Sequence, residues 1–184
     1  MGALLRQLFG VCLLRTGPQD LPYSVVATRV AIGSLLAFQA AVGVATGAQG
    51  PAILARLGVT LLVLAGVTPW LLRARGFANR TAQTLLAQAG AGLLVSLAML
   101  PAAVALLPYV TPDGTPGATP PQAMLPALAM LVLFVWKLRV DASIWTHALD
   151  VRRQQGLLLA VVLVVAELVL LLLFAPAVPR PAGT

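Results

Sequence analysis

GLLLAVVLVVAELVLLLLFAPAV, residues 156–178, decides the fold class. Its 23 residues carry one charged side chain, Glu167. A helix needs roughly 20 mostly apolar residues to cross about 30 Å of hydrocarbon, and a water-facing helix would interrupt this run with a polar face. The stretch therefore reads as a membrane span. Working outward, the same solvent suits the whole chain. Of its 184 residues, 60% are hydrophobic and only 9% charged, whereas soluble domains average about 25% charged.

Four more apolar runs precede this one. Residues 30–47 are uncharged and form a first span, extendable back to Val25 if Arg29 reaches the interface. Residues 57–72 make a second once Ile53 and Leu54 join, and residues 82–107 a third. The fourth, 124–136, is short and is expected to continue as helix through Lys137 and Arg139, whose long side chains would reach for headgroups. The expected fold is thus all-α: a polytopic bundle of about five transmembrane helices. Loop charge tests the count independently. Ten of the twelve basic residues fall in three alternate segments, around 6–29, 73–80 and 137–153, leaving only Arg56 and Arg180 for the other side. Excess Lys and Arg mark cytoplasmic loops. Five spans, with a cytoplasmic N-terminus and a periplasmic C-terminus in a bacterial inner membrane, reproduce that segregation.

Residues 1–14 are too few to span. Leu4, Leu5, Leu8, Val11 and Cys12 recur at helical spacing, with Arg6 and Gln7 toward another face, which predicts an amphipathic interfacial helix. Phe9 and Leu13 blur that division. Gly17 and Pro18 then stop the helix; Asp20 can cap the next one, and Pro22 suits its first turn. Tyr23 stands where an aromatic ring meets headgroups. The organisation expected is an interfacial helix with its GPQDLP turn (1–22), a five-helix bundle (23–178) and a disordered tail (179–184). No cleaved leader is expected, because Arg15 breaks the first apolar run and no small-x-small site precedes Pro18. The lone Cys12 excludes an intrachain disulfide and reads as a packing residue.

Polar residues at membrane depth carry the functional reading. Glu167 sits midway along its span with only Leu and Val at i±3 and i±4, so its partner must come from another helix. Gln88 and Gln39 are candidate donors. Gln88, Gly92 and Ser96 share a face, and Gly43 with Gly47, and Ala87 with Ala91, give small-xxx-small spacing for close helix packing. The stretch 136–153, WKLRVDASIWTHALDVRR, holds Trp145, His147 and the Lys137/Asp141 pair at i, i+4. Asp150 could orient His147, which as a histidine is a candidate proton relay as well as a plain interfacial residue. No HExxH pattern, second histidine or cysteine cluster supports a metal site, and no cofactor is expected. Nothing aromatic interleaves with the basic clusters, so the charge of +7 points to anionic headgroups and not to nucleic acid.

Three segments carry a resemblance: residues 17–24 (GPQDLPYS), residues 80–86 (RTAQTLL) and residues 136–149, ending in His147-Ala148-Leu149. With them the chain resembles a family of small proteobacterial inner-membrane proteins of unassigned activity, in a Yip1-like five-helix outline. Asp20-Leu21-Pro22-Tyr23 partly matches the Asp-Leu-Tyr-Gly-Pro element that Yip1-like proteins place before the first helix. The resemblance implies membrane organisation through protein contacts and supplies no catalytic residues. The leading expectation is accordingly a non-enzymatic protein that organises partner proteins, lipids or further copies of itself through Asp20, Pro22, Tyr23 and Trp145. The rival is a small transporter or channel subunit centred on Glu167, with Gln88 and His147 assisting.

Overall fold

The computed structural model describes residues 2–109 and 120–174. Six helices account for the architecture, with no strand among the described residues: α1 (Gly2–Cys12), α2 (Val25–Ala45), α3 (Gly50–Ala74), α4 (Thr81–Leu106), α5 (Pro121–Leu149) and α6 (Arg153–Phe174). Helices α2 to α6 are long and apolar enough to cross a membrane. The chain is a multi-pass helical membrane protein. The expected tail, 179–184, lies outside the described residues.

The five spans close a ring. Helix α2 packs on α3, α3 on α6, α6 on α5, α5 on α4, and α4 back on α2. Large apolar side chains point outward instead of inward: Leu158, Leu168, Leu172 and Leu173 on α6 and Leu125, Leu128 and Leu131 on α5 are more than half exposed. In water this would cost too much apolar surface; in lipid tails it costs nothing. Small residues fill the contacts. A Cβ on Gly156 would stand 2.7 Å from the Ala142 carbonyl and closer still to the Thr146 hydroxyl, so the tight α5–α6 approach requires glycine there. The hairpin between these helices turns on Asp150 at φ 52, with the Val151 amide donating to the Thr146 carbonyl. Of the Gly43/Gly47 pair, only Gly43 meets a neighbour, Ile53 of α3. Gly47 (φ 70) ends α2 instead.

Two kinds of departure from plain helix occur within the spans. Pro101 and Pro126 are accommodated within α4 and α5. In α3, residues Leu62–Val67 widen into a π-helical turn, with the Thr68 amide donating to the Val63 carbonyl. Pro69 comes directly after and has no amide to continue an α-helical ladder. Such wide turns frequently occur at functional sites.

Helix α1 lies against α4 and α5 through Leu8, Val11 and Cys12. Gly90 of α4 allows it: a Cβ there would meet Leu8 at 2.6 Å. Leu5, Phe9 and Leu13 form a second, outward apolar stripe, each about half exposed. Leu5 thus belongs to the outer face and not to the packed one. With apolar stripes on two faces, α1 packs at the flank of the bundle and leaves its second stripe exposed.

The turn before α2 is built differently from the expectation. Asp20 caps backward, its Oδ2 accepting from the Gly17 amide at 2.8 Å, while Ser24 is the N-cap of α2 and accepts from the Ala27 amide at 3.2 Å. Pro22 stands in the extended link before that helix, outside its first turn. The three segments that carried the family resemblance converge here. Gln83 Nε2 donates to the carbonyls of Leu21 (2.7 Å) and Gln19 (3.2 Å), and Arg80 Nη1 donates to the carbonyls of His147 (3.0 Å) and Ala148 (3.4 Å) at the end of α5. Their spacing is explained by holding one end of the bundle together.

Candidate functional site

Between the spans lies a partly open cavity of about 110 Å³ whose lining comes from all five of them. Helix α2 contributes Gln39, α3 Thr60, α4 Gln88 and Ser96, α5 Lys137 and Asp141, and α6 Glu167. The periodicities explain the convergence. Lys137, Asp141 and Trp145 recur every four residues and share one face of α5; Gln88, Gly92 and Ser96 do so on α4. By the 1.5 Å rise per residue, Gln39, Thr60 and Glu167, each fourteen residues from the same end of its span, lie about 21 Å from it, and Lys137 about 18 Å. That level is well inside a hydrocarbon core of about 30 Å.

Lys137 Nζ is ion-paired with Asp141 Oδ2 along one helix face. Their side chains are 32% and 19% exposed, so the ammonium does not extend to headgroups as its position after the apolar run had suggested. An ammonium at depth needs a paired anion. Asp141 supplies one from its own helix, and Glu167 from α6 lines the same small cavity. Three ionisable groups of mixed sign therefore meet where the sequence had marked only Glu167.

The glutamines also sit in the cavity but with other partners. Gln39 Oε1 accepts from the Thr60 hydroxyl at 3.1 Å, and Gln88 Oε1 from the Thr68 hydroxyl at 3.0 Å. Both donors lie on α3, on either side of its π-helical turn. Neither glutamine hydrogen-bonds Glu167, and the amide nitrogens of both have no protein partner among the described residues. The cavity is plugged at the end carrying the α5–α6 turn by Leu72, Trp145, Ala148 and Ala160, all 1% exposed or less. On its other side a second cavity of about 230 Å³ shares Gln39 and is lined by Arg56, Thr46 and Leu171, the last one turn beyond Glu167.

Two other sequence candidates lie elsewhere. His147 is exposed at the end of α5, remote from the cavity lining, and its Nδ1–H donates to the Ser143 carbonyl at 2.7 Å; that backbone partner, and not Asp150, orients the ring. Trp145 is 1% exposed and belongs to the core, so it is not an outward contact. Tyr23 is 71% exposed, and Asp20 and Pro22 are exposed beside it within the helix-entry turn. The missed residues were Lys137 and Asp141, for which the i, i+4 pairing of opposite charge beside Trp145 was the available signal. No group of three metal-ligating side chains occurs among the described residues.

No protein-family model matches the chain. No curated protein and no solved structure matches it either.

Proposed function

We propose that the chain is a membrane transport protein, or the transporting subunit of one, that takes up a proton or small monovalent cation at Lys137, Asp141 and Glu167. One observation carries the reading: three ionisable groups line a mid-depth cavity built by all five spans. Each charge at the centre of a bilayer costs about 2.5–3.5 kcal/mol on insertion scales. Packing alone could use the Gln, Thr and Ser already present, so the charges point to a task. With all three ionised the cluster carries one net negative charge, and a low-dielectric site favours neutrality. A proton on Glu167, or a cation beside it, restores that balance. A volume of about 110 Å³ also leaves room for several waters, each needing about 10–15 Å³ on this measure.

The plug around Trp145 and the second cavity beyond Gln39 give the site a blocked side and an approachable one, as alternating access requires. The basic clusters favour a cytoplasmic N-terminus and a periplasmic C-terminus in a bacterial inner membrane, which puts the approachable side outward. The partner-organising reading now draws on Tyr23 and its neighbours alone, with Trp145 in the core.

Proteoliposomes under an imposed membrane potential, with trapped dyes for pH, sodium and potassium, test the proposal. Wild-type protein should carry one of the three ions. Glu167→Gln at equal reconstituted amounts should reduce that flux at least about tenfold. Equal flux from Glu167→Gln, or wild-type vesicles indistinguishable from protein-free ones for all three ions, rejects it.

A further inference from the structure

A groove larger than the charged cavity stands apart from it. It has a volume of about 570 Å³ and lies between α5 and α6, beside the residues just after α1. Arg139 and Arg153 border it, with His147 between them in sequence, and no carboxylate lines it. Both arginines are exposed, and neither has an acidic partner among the described residues, where the one ion pair is Lys137–Asp141. The walls are Leu14, Ala142 and Leu157, with the short side chains of Ser143 and Thr146 between them. We infer that this groove binds the headgroup of one anionic phospholipid, with its phosphate between Arg139 and Arg153.

Depth and charge together select that occupant. Arg153 opens α6 at the end of the bundle, while Arg139 stands ten residues before the end of α5, about 15 Å along it. An arginine so placed buries its stem along apolar surface and turns its guanidinium toward the headgroups. The groove thus runs from a doubly basic mouth into apolar walls that continue onto Leu158 and Val161, on the outward face of α6. A soluble anion would use the mouth and gain nothing from those walls; a phospholipid uses both. Guanidinium forks match phosphate oxygens, and basic pockets between spans are a recognised route to selective headgroup binding. Arg73 and Arg75, on the same end, are exposed and outside this groove, so a diffuse attraction to the bilayer would draw on them equally.

Native mass spectrometry of the full chain, released from mixed micelles of phosphatidylglycerol and phosphatidylcholine at equal mole fraction, reads the preference directly. One retained phosphatidylglycerol is expected, favoured roughly fivefold per arginine and hence more than tenfold in all. Arg139→Gln with Arg153→Gln should bring the preference below about twofold, and Arg73→Gln with Arg75→Gln should leave it unchanged. Arg153→Gln alone, at an exposed helix end, should lower it severalfold and covers the event that the double variant does not fold. The inference is overturned if wild-type protein retains both lipids equally, if the Arg73/Arg75 variant loses as much preference as the Arg139/Arg153 variant, or if millimolar inorganic phosphate displaces the lipid.

Discussion

Replacing Lys137 with methionine keeps an unbranched chain of similar length and removes the only cation in the charged cavity. Asp141 and Glu167 are then left together at depth without a counter-charge. Breaking a fully buried ion pair by deleting one partner costs about 3–5 kcal/mol. Here the two side chains retain 32% and 19% exposure, which screens part of the interaction, so a loss of about 2 kcal/mol is expected. For a chain of this length that corresponds to a fall in Tm of roughly 4–8 °C. Adding Asp141→Asn to Lys137→Met removes the stranded carboxylate and should recover more than half of the loss. The resulting cycle should give a coupling of about 1–2 kcal/mol. Thermal unfolding in one detergent, followed by circular dichroism at fixed protein and detergent concentration, supplies all four corners. A Lys137→Met protein within about 1 °C of wild type, or single effects that simply add, would refute an ammonium that faces inward and is paired.

Two further outcomes probe the scaffold. Gly156→Ala forces α5 and α6 apart at the Ala142 carbonyl and should cost about 1–3 kcal/mol, whereas Gly33→Ala, with nothing within 4 Å of the added Cβ, should be neutral or stabilising by up to about 1 kcal/mol; equal melting of the two variants would contradict the close α5–α6 contact. Burial, and secondarily the charge of Asp141, pushes the Cys12 thiol up to about 11 from 9.0. Its thiolate fraction at neutral pH is therefore about 100-fold below that of an unperturbed thiol. Maleimide labelling of folded protein should be slow at pH 7, rise about tenfold per pH unit toward pH 11, and become fast on unfolding in SDS. Rapid labelling of the folded protein at pH 7 would remove α1 from the flank of α4 and α5.

The spans were legible because hydropathy over some twenty residues reports the solvent directly, and every expected span is present. Their ends were less legible: α5 runs unbroken from Pro121 to Leu149, far beyond the apolar run 124–136. That overrun hid the site. A helix of 29 residues is about 43 Å long and exceeds the hydrocarbon thickness, so residues past the apolar run can turn either way. Lys137 and Asp141 take the inward face, and Arg139 the outward one. Glu167, Gln88 and Gln39, which the sequence singles out as polar residues within apolar runs, share one cavity. What pairs with what depends on which faces oppose one another across the ring, which no single helix encodes. The Thr60–Gln39 and Thr68–Gln88 bonds depend further on a π-helical turn for which Thr68-Pro69 was the only hint. Hydrophobic pattern also grouped Leu5 with the packed face of α1, and Trp145, expected as an outward contact, is buried, since in lipid an exposed position and a buried one can be equally apolar.

Lys137 is the only lysine in the chain, which permits one direct test of the meeting of charges at mid-depth. A membrane-permeant carbodiimide applied to native membranes activates a carboxyl group, and an amine within contact distance then displaces the urea to leave an amide. An inward-facing, paired Lys137 should give a zero-length crosslink to Asp141 or Glu167, located by mass spectrometry, and should be protected from impermeant amine reagents on both sides of the membrane. Ready modification of Lys137 by an impermeant reagent, with no such crosslink formed, would contradict it.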